Sequence, residues 1–166
     1  MRFAPAAAAL SLVVAVTASV GGAEDKGADP RAVMLIAQGE AALAAGDTQK
    51  AIDSYEAALA VDPGYTPIFL ELAEVARQEG LQGKAIRYYR EALSRDPDNF
   101  AAISGEGAAL VEKGALEKAK RNLAKLESMC GSSCPETLEL QTSIAQGKQT
   151  RMAAEAMGGT PPASNN

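Results

Sequence analysis

The chain has no histidine and no tryptophan, only two cysteines, and an aromatic content of 4%. Each scarcity excludes something. Without histidine there is no imidazole for acid–base catalysis, for a metal ligand or for a switch near neutral pH. So few aromatics argue against a large aromatic-lined pocket. Basic residues are also in the minority, 16 against 21 acidic, net −5. That balance disfavours nucleic acid, whose phosphates need a basic surface. Paired carboxylates, a nucleophile with a base, and a phosphate-cradling glycine loop are missing as well. Gly105-Glu106-Gly107 imitates part of such a loop but follows a helical pattern rather than a strand. The residues therefore predict neither an enzyme nor a cofactor.

What is present is one pattern written twice. Leu35, Gly39, Ala42, Gly46, Ala51, Tyr55, Ala58 and Pro63 recur 34 positions later as Phe69, Ala73, Ala76, Gly80, Ala85, Tyr89, Ala92 and Pro97. Each position keeps its class: large apolar, small, small, Gly, Ala, Tyr, Ala, Pro. A third copy follows through Ile103, Gly107, Leu110, Gly114, Ala119, Leu123 and Leu126, with Gly131 where proline stood. Two helices joined by a tight turn must approach closely. Small residues such as Ala51, Ala58, Ala85 and Ala92 allow this, while Leu35, Tyr55, Phe69 and Tyr89 fill the gaps between pairs.

Helix punctuation repeats with the same period. Asp29-Pro30 supplies a cap and an N1 proline for a helix over 30–45, which Gly46 ends. Asp47 caps the next, over 48–61, stopped by Asp62-Pro63-Gly64. Thr66-Pro67 opens a helix reaching about 79, and its partner spans 82–95. The third unit begins at Asn99, breaks at Gly114 and reaches about 129. Glu136–Gln146, with Leu138, Leu140 and Ile144 on one side, suits a terminal capping helix.

This 34-residue unit resembles the tetratricopeptide repeat over about 31–131. The resemblance implies an all-α fold: three helix–turn–helix units plus a C-terminal capping helix in a right-handed α-solenoid. It also implies a protein-binding scaffold whose first helices line a concave groove. By alignment the groove positions are Val33, Ile36, Glu40 and Leu43 in unit one. In unit two they are Leu70, Glu71, Glu74, Arg77 and Gln78, with Pro67, and in unit three Ser104, Ala108 and Val111, with Ala101 and Glu112. Some members hold a peptide's C-terminal carboxylate with basic and amide side chains at fixed positions. Here those positions are Ile36, Glu40, Glu71, Ala101 and Gly105, so that mode is rejected.

The ends read differently. Residues 1–23 form an expected cleaved signal peptide: Arg2, an apolar run over Ala6–Val16, and small residues Gly21-Gly22-Ala23 before Glu24. The run is short against the ~20 apolar residues of a membrane span. Residues 24–29 are a linker, 30–147 the repeats and cap, and 148–166 a mostly disordered tail. The expected location is periplasmic or secreted, in a bacterial envelope. In that setting Cys130 and Cys134, flanking a short loop, are expected to form a structural disulfide. Two other functions stay open: a thiol–disulfide protein using that pair, and an assembly factor tethered to a membrane by a retained segment. The expected partner is a protein, with no nucleic acid, no metal, and a membrane only if residues 1–23 are kept.

Overall fold

The computed structural model describes residues 27–157, which form seven helices. They are α1 (Pro30–Ala44), α2 (Thr48–Val61), α3 (Pro67–Gln78), α4 (Gln82–Arg95), α5 (Phe100–Glu112), α6 (Leu116–Cys130) and α7 (Pro135–Ala156). The expected signal peptide, the first half of the linker and the end of the tail lie outside the described residues. Among those described, no helix is long and apolar enough to cross a membrane.

Local chemistry places the breaks. Gly46, Gly80 and Gly114 take φ of 78°, 72° and 83°, the left-handed turn at the end of each unit's first helix. Asp29 accepts from the Arg31 amide, Asp47 from that of Lys50 and Asn99 from that of Ala102. Thr66 departs from the sequence reading. Its backbone is already helical and its hydroxyl caps nothing, so Pro67 alone marks that start.

Packing follows the repeat. The helices pair as α1/α2, α3/α4 and α5/α6, and α2 meets α3 as α4 meets α5. Ala51, Ala58, Ala85, Ala92 and Ala119 are all fully buried at these contacts. Two apolar clusters result: Tyr55, Ile68, Leu72 and Val75 belong to the first, and Phe69, Tyr89, Ile103, Leu126 and Leu140 to the second. α3 feeds both, so its residues alternate between the unit before and the unit after. The Arg95 guanidinium lies over the face of the Phe69 ring, 4.3 Å from its centroid. α3 also packs on α5, with no comparable packing of α2 on α4 or α4 on α6, so in units two and three the first helices lie on the inner side.

The capping helix is longer than the sequence suggested. Instead of ending at 146, α7 runs unbroken through Gly147 to Ala156. Gly147 passes close to Val111 of α5, and an added Cβ there would collide with the valine side chain. The glycine is thus a crossing point, not a stop. The buried side of α7 is Thr137, Leu140 and Ile144, whereas Leu138 is half exposed.

Candidate functional site

The inner helices α1 and α3 carry the open part of the groove. Val33 is exposed, and Ile36 and Leu43 are half-buried against the first cluster. Leu70 is half-buried against the second cluster. Pro67, Glu71, Glu74 and Arg77 are partly exposed, and Glu40 and Gln78 are exposed.

Unit three departs from the expected groove. Ser104 and Ala108 are buried, at 2% and 3% exposure, and so cannot line an open surface. The physical reason is α7, which lies against α5. The Ser104 hydroxyl donates to the Glu136 carbonyl at 3.2 Å, Leu140 packs on Gly107, and Val111 packs on Gly147. Of the unit-three positions named from sequence, Ala101 and Glu112 stay exposed.

Electrostatics concentrate on α3. Arg77 donates from Nη1 to Glu74 at 2.9 Å and from Nε to Glu112 at 3.0 Å. The Tyr89 hydroxyl donates to the same Glu74 carboxylate at 3.0 Å. Burial and the Glu74 charge raise the Tyr89 pKa. Arg77 is thus the internal counterion of this acidic patch. Sequence reading treated Tyr55 and Tyr89 only as filler between units. Both carry a hydroxyl, which a buried phenylalanine would not, and a hydroxyl at that depth must find a partner. That was the available signal.

Tyr55 finds none. It is fully buried, and its hydroxyl has no hydrogen-bond partner among the described residues. Glu71 is near enough to act on it, but no hydrogen bond of good geometry forms. Burial, then the charges of Glu71 and Glu40, push its pKa up to about 12. Glu71 is itself raised, first by burial and then by Glu40, with Glu74 adding to the effect and Tyr55 opposing it. A carboxyl raised in the folded state makes the protein lose stability as pH climbs through and above the normal carboxylate range, because the ionised form is disfavoured only when folded. Glu71→Gln is therefore expected to melt higher than wild type at pH 7. The gap should close below about pH 4, where both states are protonated. Melting curves across that range check it, and a gap that grows toward acid contradicts the sign.

Cys130 and Cys134 are joined by a disulfide across the α6–α7 turn. Thr137, fully buried beneath it, donates to the Gly131 carbonyl at 3.0 Å. The pair fixes where α7 begins. Replacing both with serine is expected to lower stability by about 1–3 kcal/mol, mainly by loosening α7. Oxidised protein that labels fully with a thiol reagent would show the bridge absent in solution. With Glu136 the sulfurs form the one three-ligand cluster within 4.8 Å among the described residues. Sulfurs bonded to each other are poor metal ligands, which leaves that cluster structural.

A separate cavity of about 860 Å³ opens where the chain before α1 meets the α2–α3 turn, lined by Asp29, Asp62, Tyr65 and Thr66 among others. It includes none of the groove glutamates.

Comparison with known proteins agrees with this architecture. A tetratricopeptide-repeat family model matches residues 36–100 and 70–120, together just over half of the 166. The TPR domain of Sgt2 from Aspergillus fumigatus is similar, with a TM-score of 0.64 and 24% identity over 87% of this chain and 94% of that one. The first TPR of Spaghetti (RPAP3), solved with an HSP90 peptide SRMEEVD, gives 0.64 and 20% over 74% and 94%. The Yersinia enterocolitica type III secretion chaperone SycD, solved with a peptide of the translocator YopD, gives 0.60 and 20% over 74% and 93%. No curated relative matches by sequence.

Proposed function

The chain belongs to the tetratricopeptide-repeat family, and from that premise we propose that it is a non-catalytic scaffold holding a peptide or helix of a protein partner in its concave groove. The observation that carries this reading is the open surface of α1 and α3, where Ile36, Leu43 and Leu70 lie beside Glu40, Glu71 and Glu74. The solved structures of RPAP3 and SycD hold peptides on the same fold, which supports the class of ligand. Apolar contacts supply most of the affinity on such a surface, since exposed charges are screened by water and salt. The carboxylates steer the encounter and reject acidic partners. We place the protein in the bacterial cell envelope, on the signal-like residues 1–23 and the cysteine pair.

Affinity pull-down from the envelope fraction identifies the partner, and titration at two ionic strengths tests the surface. Leu70→Ala is expected to weaken binding at any salt. Glu40→Lys is expected to weaken it mostly at low salt. If neither changes affinity, the partner uses another face and the groove reading fails.

A further inference from the structure

The 34-residue period provides an internal control for the groove. Glu40, Leu43, Tyr55, Glu71 and Gln78 correspond, one unit on, to Glu74, Arg77, Tyr89, Gly105 and Glu112. The same pocket is therefore built twice, once at each seam between units, with different contents. At the second seam it is complete. Arg77 sits between Glu74 and Glu112, the Tyr89 hydroxyl donates to Glu74, and Gly105 makes room, since a Cβ there would stand 2.6 Å from the tyrosine oxygen.

At the first seam the cation is missing. Leu43 stands where Arg77 does, and Glu71 adds a carboxylate where the other seam has glycine. Among the described residues no ion pair reaches Glu40 or Glu71. The Tyr55 hydroxyl, fully buried and facing these carboxylates, is unpartnered. Glu71 is held above the usual carboxylate range by burial and by Glu40. The half-buried Glu71 carboxylate and the exposed Glu40 carboxylate repel each other without a counterion, the condition that an incoming cation relieves most.

We propose that this first-seam pocket is a receptor for one basic side chain, lysine or arginine, of the segment bound in the groove. The partner supplies in trans the cation that Arg77 supplies in cis at the second seam. An ammonium or guanidinium donates to Glu40 and Glu71, while its alkyl stem lies along Leu43 and Ile36. Among the described residues no third acidic, cysteine or histidine ligand joins Glu40 and Glu71 within 4.8 Å, and two carboxylates match the few donors of one organic cation better than the many oxygens a bare divalent ion takes. The inference rests on the groove reading and names the chemistry of its ligand.

The test selects a random displayed peptide library on the full chain. Wild type is expected to enrich peptides with Lys or Arg at one fixed register. Replacing that residue by Gln in a synthetic winner should weaken binding about tenfold or more. The double variant Glu40→Gln/Glu71→Gln should lose the basic preference. So should Leu43→Arg, which installs the repeat's own cation; a melting curve establishes that each variant is folded. Winners that crosslink to the groove but carry no basic residue overturn the cation receptor and leave the groove reading standing. Winners that crosslink to the convex face, or no winners at all, overturn both. If calcium alone shifts the Glu40 and Glu71 side-chain carboxyl NMR signals, a metal ion is the occupant and the proposal fails.

Discussion

Truncating Tyr55 or Tyr89 to alanine is expected to cost about 3–5 kcal/mol each, the range for deleting a buried aromatic. Both side chains are almost wholly buried, and each ring is wedged where a glycine brings a neighbouring helix backbone against it, Gly39 for Tyr55 and Gly105 for Tyr89. A helix backbone cannot collapse into the void as side chains do, so the cavity persists. For a domain whose total stability is about 5–15 kcal/mol, that is a large share. The phenylalanine variants separate ring from hydroxyl. Tyr89→Phe takes one donor from Glu74, with Arg77 remaining, and should cost about 1–2 kcal/mol, whereas Tyr55→Phe removes an unpartnered buried oxygen and should be neutral or stabilising. Chemical denaturation of the four variants measures this. An alanine variant within about 1 kcal/mol of wild type would mean that the rings do not act as wedges. Equal costs for the two phenylalanine variants would contradict the asymmetry between the seams.

That asymmetry bears on what a sequence can disclose. The solenoid was legible because its determinants are local and repeated: a glycine of positive φ after each first helix, a proline after or before a helix, alanines where backbones close. A period of 34 carries this information three times over. The groove was only partly legible. Alignment put Glu40, Glu71 and Glu74 on one surface, and the influence of Glu40 and Glu74 on Glu71 agrees with that placement. Alignment cannot say whether a groove position is open, because that depends on what lies across it. Ser104 and Ala108 look the same in sequence whether or not a helix covers α5. Nothing in the repeat specifies where α7 docks, since the period ends before it. The same limit explains Leu138. Spacing alone allowed it on the apolar side, but the helix rotates so that Thr137, Leu140, Ile144 and Gly147 face inward at intervals of three and four. A buried threonine is a poor hydrophobic signal. Its hydrogen bond to Gly131 is what justifies its place.

Removing α7 gives the last and largest expected effect. A chain ending at Ser133 loses Leu140 and Ile144 from the second cluster, together with the buried Thr137, and uncovers the faces of α5 and α6 on which α7 rests. Burial of the two aliphatic side chains alone is worth about 1.5–3 kcal/mol each, and the newly exposed apolar surface of α5 adds to the loss. A solenoid end without a polar outer face is also expected to self-associate. The truncated chain should therefore be marginally folded and should aggregate with rising concentration. A chain ending at Gly147 should behave differently. It keeps Thr137, Leu140 and Ile144, the residues of α7 described as buried, and the contact of Gly147 with Val111, and it discards residues such as Lys148, Gln149, Thr150 and Met152 that are exposed. Its stability should lie within about 0.5 kcal/mol of the full chain. Urea denaturation and sedimentation of the two truncations give the comparison. If the chain ending at Ser133 unfolds like the full chain, α7 is not a cap. Ser104, Ala108 and Val111 would then return to the groove, which would widen from two units to three.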